Sequence, residues 1–403
     1  MQSSHILFDE TDSDMKLTPS HPVLDLAFRP FFILGSLFGI IALILWAVLL
    51  SNNDLVNPVY PVQLWHGHEM LYGFVAAFLV GFLLTAIQNW TGLRSVHGRS
   101  LLLLVMLWLA GRMAMWPGVE INALMRFLAD SSFLLLSAVF VGRLLQRKAQ
   151  KRNYFAVVVL LILLADNFIF HYALQTGDWL MARQSLYSVV FVITLMMTVI
   201  GGRVIPMFTA NTTQIPARPR KAWVDKTGLV LLWLIVMIFL LQLQTHLKAE
   251  IEAALLILAA VFIGLRCSQW RLMSTWRHPL LWSLHLAYWC IPLALCLVAL
   301  HYAGWLALSM GLHTLTVGAM AGLILSMIAR VSLGHTGRRI IASRLITVAL
   351  VMILLAAVVR VPMAALLTEH SLAVWYLSIT LWGIAFSLFL YHYVPILIAA
   401  RVD

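Results

Sequence analysis

Pro30-Phe-Phe-Ile-Leu-Gly-Ser-Leu-Phe-Gly-Ile-Ile-Ala-Leu-Ile-Leu-Trp-Ala-Val-Leu-Leu50 contains no ionisable side chain. A run of about 20 such residues, wound as an α-helix, spans the roughly 30 Å of hydrocarbon in a bilayer. In lipid the backbone N–H and C=O groups find partners only inside a helix or around a closed barrel. A barrel strand would alternate apolar and polar residues, and this run does not. It therefore reads as a transmembrane helix, and eleven further segments read the same way. The twelve are residues 30–50, 66–88, 100–117, 121–145, 154–174, 184–208, 227–243, 250–266, 279–301, 303–329, 343–367 and 371–399. The expectation is an all-α polytopic membrane protein of twelve spans. Composition agrees: 62% of the 403 residues are apolar and 11% are charged, against roughly 25% charged in a soluble domain. A soluble enzyme and a disordered chain are both excluded. Residues 21–403 read as a single transmembrane domain, because the connections are too short for a soluble one. Residues 1–20 carry Asp9, Glu10, Asp12 and Asp14 and no apolar run. They read as a flexible cytoplasmic tail and not as a signal peptide.

The basic residues set the orientation. With the N-terminus inside and sides alternating, all but five of the 27 Lys and Arg fall on the cytoplasmic side. Two clusters dominate, Arg143, Arg147, Lys148, Lys151, Arg152 and Arg218, Arg220, Lys221, Lys226. Both termini are thus expected on the cytoplasmic side. The net charge of +11 is a topology signal beside anionic lipid, and no nucleic-acid partner is needed to explain it. Cys267, Cys290 and Cys296 form no C-x-x-C, which argues against a zinc knuckle, a dithiol centre or a covalently attached haem. No phosphate-binding glycine loop is present.

An internal repeat runs through the chain. His68-Glu-Met-Leu-Tyr-Gly73 with Thr91-Gly92, shifted by 245 residues, meets His313-Thr-Leu-Thr-Val-Gly318 with Thr336-Gly337. Arg203-Val and Thr209 in the sixth span parallel Arg330-Val and Thr336 in the tenth. Spans 2, 6 and 10 are four apart, which suggests three units of four helices; a carrier built of two halves would pair span 2 with span 8.

Ionisable groups inside spans are costly and point to function. His68 and His313 lie in spans running the same way. Two imidazoles on facing helices of a bundle can hold a haem iron. Gly73, Ala76, Ala77 and Gly81, and Gly318, Ala319, Ala321 and Gly322, would leave a groove for the flat macrocycle, or simply let helices pack closely. Arg112 and Arg360 are candidates for the haem propionates, with Asp130 or Glu69 as alternative partners for an arginine. His66, His335, His171 and His285 are candidate ligands for copper or a second haem, since neutral imidazole suits copper. On a helix His66 and His68 would diverge by about 200°. Asn167 and His171 share a helix face, and Asp166 is a candidate proton carrier.

Phe28-Arg-Pro-Phe-Phe32, Trp65-His-Gly-His-Glu-Met70, Gly81-Phe-Leu-Leu-Thr-Ala86 with Asn89-Trp-Thr-Gly92, and Gly334-His-Thr-Gly-Arg338 resemble the NnrS family across essentially the whole chain. The resemblance implies a twelve-span bacterial inner-membrane protein of nitric oxide metabolism that resists nitrosative stress and contains haem and copper. It also gives the threefold pattern a parallel, because haem–copper oxidase core subunits have three arcs of four helices with haem histidines on helices 2 and 10. The oxidases' copper histidines have no counterpart in spans 6 and 7. The expected function is a haem-b and copper membrane protein that binds or reduces nitric oxide, in the manner of an oxidoreductase fed by a separate electron donor. The alternatives are a secondary transporter and an accessory protein of a respiratory complex. The loop from Thr91 to Arg99 lacks the acidic–basic string of a major-facilitator carrier.

Overall fold

A computed structural model describes residues 21–51, 60–219 and 221–402. The tail over residues 1–20 and Arg220 lie outside the described residues. Twelve helices follow one another: α1 (Phe28–Ser51), α2 (Val62–Thr91), α3 (Gly98–Ala114), α4 (Ala123–Arg147), α5 (Phe155–Thr176), α6 (Trp179–Thr213), α7 (Ala222–Leu240), α8 (Ala249–Ser268), α9 (Pro279–Tyr302), α10 (Leu308–His335), α11 (Arg344–Leu366) and α12 (Ser371–Ile398). Eleven are long and apolar enough to cross a bilayer. The twelfth, α3, has 17 residues and is as apolar in its middle. The protein is an all-α multi-pass membrane protein.

Caps set the helix ends. Gly92 and Gly177 take left-handed backbone angles (φ +69° and +73°) that close α2 and α5, a geometry a Cβ disfavours. Asn122 and Asp178 accept backbone N–H bonds at the starts of α4 and α6. With Asp178 as its cap, α6 starts at residue 179 and runs 35 residues, about 52 Å at the usual rise. It overshoots the expected 184–208 at both ends because helix geometry continues past the apolar stretch. The tenth span also ends later than expected, at His335 instead of near 329.

Neighbours in sequence pack together from α3 round to α12, and α12 closes onto α1. Inside this ring sit α2, α6 and α10, with α6 touching both of the others. Their most apolar windows are 78%, 72% and 72% buried, and the next helix, α9, reaches 61%. Burial therefore repeats every fourth helix, as the three-unit reading expects. The 245-residue register also has a structural counterpart. α2 passes through a π-helical segment at Glu69–Val75 and α10 through one at Thr314–Ala321. Such wide turns are rare and often mark functional positions.

The small residues of α2 and α10 do not leave an open groove. Gly73 backs onto Phe38, Gly81 onto Phe31 and Phe28, Gly318 onto Cys290 and Gly322 onto Ala287. They let α1 pack on α2 and α9 on α10, as small residues do in membrane bundles. The strings around Phe28 and Gly334 anchor the C-terminus. Buried Arg29 donates from Nη1 to the carbonyls of Leu397 (3.0 Å) and Ala399 (2.5 Å). Val402 N–H donates to the carbonyl of Thr336 at 3.0 Å. The starts and ends of the described chain therefore meet at one end of the bundle, here called the terminal end.

Hydrogen bonds to a charged donor contribute about 1.5–3 kcal/mol each. Arg29→Ala should lower thermal stability in detergent by at least that amount, with Arg29→Lys in between. An unchanged melting temperature for Arg29→Ala would contradict this anchoring role.

Candidate functional site

Trp65, His66, Gly67 and His68 all lie in the first turns of α2. Because the segment is helical, the two imidazoles point in widely different directions. They enter two separate groups of polar side chains, both away from the terminal end.

The first group surrounds His68, which is fully buried. Its ring is stacked between Tyr72 and Phe170, with centroids 4.7 and 4.6 Å away. Nδ1 faces Glu69 Oε1 at 2.9 Å, and Nε2 faces Asp130 Oδ2 and Asn167 Oδ1, each at 3.1 Å. Asp130 on α4 also accepts from His171 Nε2 (3.0 Å) and Asn167 Nδ2 (2.8 Å), both on α5. From α3, Arg112 donates to Glu69 at 2.5 Å through one Nη and to Asp130 through the other. Glu69, Arg112, Asp130, Asn167 and His171 are all buried. Among the described residues His68, Asp130 and His171 are the one trio of His, Cys or acid side chains placed to hold a metal ion. Arg112 thus has the acidic partners Glu69 and Asp130. The i, i+4 spacing of Asn167 and His171 does put both on one face.

The second group joins α1, α2, α10 and α11. His313 Nδ1 lies 2.7 Å from the carbonyl of Ser309, one turn back, so it donates there and presents Nε2 outward. Arg360 Nη2 lies 3.1 Å from that Nε2. Arg360 belongs to a π-helical stretch of α11, Val359–Met363, and its guanidinium sits over Trp375 at 5.1 Å. His66 stacks on Trp46 with centroids 4.4 Å apart and planes 13° apart. It is within electrostatic range of both His313 and Arg360, and its buried Nδ1 has no partner among the described residues. Both imidazoles keep partly accessible surface.

His68 and His313, read as facing each other, therefore share no contact; His66 is the α2 histidine beside His313. His285 and His335 join neither group. His285 Nε2 lies 2.9 Å from Thr209 Oγ1, and His335 packs its ring 5.7 Å from Phe28, both toward the terminal end. Asp166 is buried with Oδ2 unpartnered. Sequence reasoning had not singled out Tyr72, Trp46 or Ser309. Tyr72 and Ser309 stand four residues from His68 and His313, a spacing that could have flagged them; nothing in the sequence flags Trp46.

The structure defines a multi-pass helical membrane protein in which four of the histidines, His68 with His171 and His66 with His313, gather in two polar groups. The family model of the NnrS protein matches residues 22–401. The chain belongs to the NnrS family, and the family ties it to the response to nitric oxide. No curated protein is significantly similar to it.

Removing one partner of a buried ion pair costs about 3–5 kcal/mol, because the other charge stays buried. Asp130→Ala takes one of its two acids from Arg112 and removes the carboxylate that His171, His68 and Asn167 face. It should destabilise the protein by that order in denaturant unfolding, well beyond Asp225→Ala, whose carboxylate pairs with Arg266 from a more exposed position. Equal losses for the two variants would refute this ranking.

Proposed function

We propose that the protein binds or reduces nitric oxide at a haem b held between His66 and His313, and so protects a bacterial cell from nitrosative stress. Family membership supports the nitric oxide part. The observation that carries the haem part is the setting of His313. Its Nδ1 proton is spent on Ser309, which fixes the tautomer and leaves Nε2 as the ligating atom. The donor set fits the group. His66 is close by with an orphaned ring nitrogen. Arg360 meets an imidazole and an indole among the described residues, not a carboxylate, and its planar fork suits a propionate. Arg112, already held by two acids, is not needed for that role.

Haem supplies an iron that coordinates diatomic ligands, and two imidazoles would fill its axial positions. His313 is anchored through Ser309 and stays. His66, with no bond at Nδ1 among the described residues, would be the less firmly held of the two imidazoles. An apolar cavity of about 110 Å³ lies where α2, α6 and α10 meet, lined by Phe32, Phe78, Met196, Ile200, Leu323 and Met327 among others. An uncharged gas partitions into such a space, whereas an ion does not. Reduction takes electrons from a separate donor, and Asp166 is the buried carboxyl available to carry protons. Copper is the second proposed metal. The basic residues favour an inner-membrane topology with both termini in the cytoplasm.

The test is the visible spectrum of the detergent-purified protein, oxidised and reduced, with and without nitric oxide. The wild type should show a haem band that shifts with nitric oxide. His313→Ala should lose most of the haem, His66→Ala should change its ligation, and His68→Ala should retain the band. A colourless wild type, or a band indifferent to both His66 and His313, would overturn the proposal.

A further inference from the structure

The geometry points to a second site that is independent of the haem: we propose that His68, Asp130 and His171 bind one first-row divalent transition-metal ion. Their three ligating atoms lie within 4.8 Å of one another, all buried. An ion about 2.0–2.2 Å from each donor needs those donors roughly 3–3.6 Å apart. Two of the three separations are already 3.1 and 3.0 Å and the third is within 4.8 Å, so drawing the two imidazoles together would seat it.

Hydrogen bonding alone accounts poorly for the arrangement. A carboxylate oxygen has two lone pairs, and His171 Nε2 and Asn167 Nδ2 fill those of Asp130 Oδ2 at 3.0 and 2.8 Å, yet His68 Nε2, hydrogen-bonded to Asn167 Oδ1, also stands 3.1 Å from it. His68 meets a carboxylate at both ring nitrogens, so without a metal it must carry two protons. With an ion at Nε2 the same contacts become ordinary. His68 then donates Nδ1–H to Glu69, the acid–imidazole–metal chain that orients ligating histidines. Arg112 holds both Glu69 and the far oxygen of Asp130, and Tyr72 and Phe170 clamp the ring plane. Asn167 Oδ1, 3.1 Å from His68 Nε2, is the nearest further oxygen. Two imidazoles and one carboxylate suit zinc, copper(II) or iron(II), and not magnesium or calcium, which take oxygen ligands.

The experiment uses the full-length detergent-purified protein, stripped with chelator and titrated with cobalt(II) alone. Metal content is counted by mass spectrometry after gel filtration. The wild type should retain one equivalent of cobalt beyond haem iron, with visible d–d absorption of a mixed nitrogen–oxygen site. His171→Gln and Asp130→Asn should weaken retention at least tenfold while leaving the haem band in place. His66→Ala should disturb the haem and leave the cobalt bound, so loss of the haem reading would be seen separately. Ser131→Ala, which removes a hydroxyl that accepts from Asn167 at 3.1 Å and no proposed ligand, should retain cobalt and controls for local disruption. If the wild type takes up neither cobalt, zinc nor copper, the trio is an ion-pair network closed by a proton on His68 and the proposal falls. It falls equally if His171→Gln and Asp130→Asn, eluting as folded protein, bind cobalt as the wild type does.

Discussion

The Arg112 guanidinium between Glu69 and Asp130 is the constraint on which the first four-helix unit depends. Each ion buried away from water costs several kcal/mol, and only close pairing with full hydrogen bonding offsets it. The three charges come from α2, α3 and α4, and the histidine and asparagine that complete the set come from α2 and α5. None of these helices can rotate or slide without stranding a charge. The arrangement thus fixes the azimuth of α2. Once His68 is committed to this side, the helix turns His66 toward α1, α10 and α11. One polar network thereby sets where the Trp-His-Gly-His string presents its second imidazole.

The two groups differ in what they are built to do. Around His68 the polar groups are crowded onto two carboxylates, the rings are stacked and the residues are sealed from solvent. Around His66 and His313 one nitrogen is orphaned among the described residues, one arginine has no acid among its described contacts, and the imidazoles retain accessible surface. The first arrangement is rigid and suits a small ion. The second has spare valence and suits a larger group. The π-helical turns at Glu69–Val75 and Thr314–Ala321 occupy the same register in the two helices that carry these histidines, so the repeat and the sites belong to one design.

Much of this was legible in the residues. Lipid imposes a plain rule on length and polarity, so all twelve spans could be read, including the 17-residue α3. The 245-residue register could be read too, because His, Gly, Thr and Gly recur together, and it suggested three units of four helices; the inward position of every fourth helix is seen in the structure. Arg112 was legible as a cation needing an acid, and Glu69 and Asp130 were the acids in reach. Pairing across helices was not legible. The spacing of His66 and His68 says they diverge, but which one faces α10 is decided by Trp46 and by Asp130 of α4, neither adjacent in sequence. The glycines could mean a groove or a close contact, and only the phenylalanines of α1 and the side chains of α9 show the contact. His285 and His335 belong near the terminal end, a depth that apolar runs locate only to within a turn or two.

The central claim is that two histidines separated by one glycine serve different sites, His66 with His313 and His68 with Asp130. Near-infrared magnetic circular dichroism of the ferric protein tests it most directly, because the charge-transfer band reports which side chains hold the iron. His66→Met should move the band from its bis-imidazole position to that of a histidine–methionine pair, and His68→Met should leave it where it is in the wild type. A band that moves with His68→Met and ignores His66→Met would contradict the account.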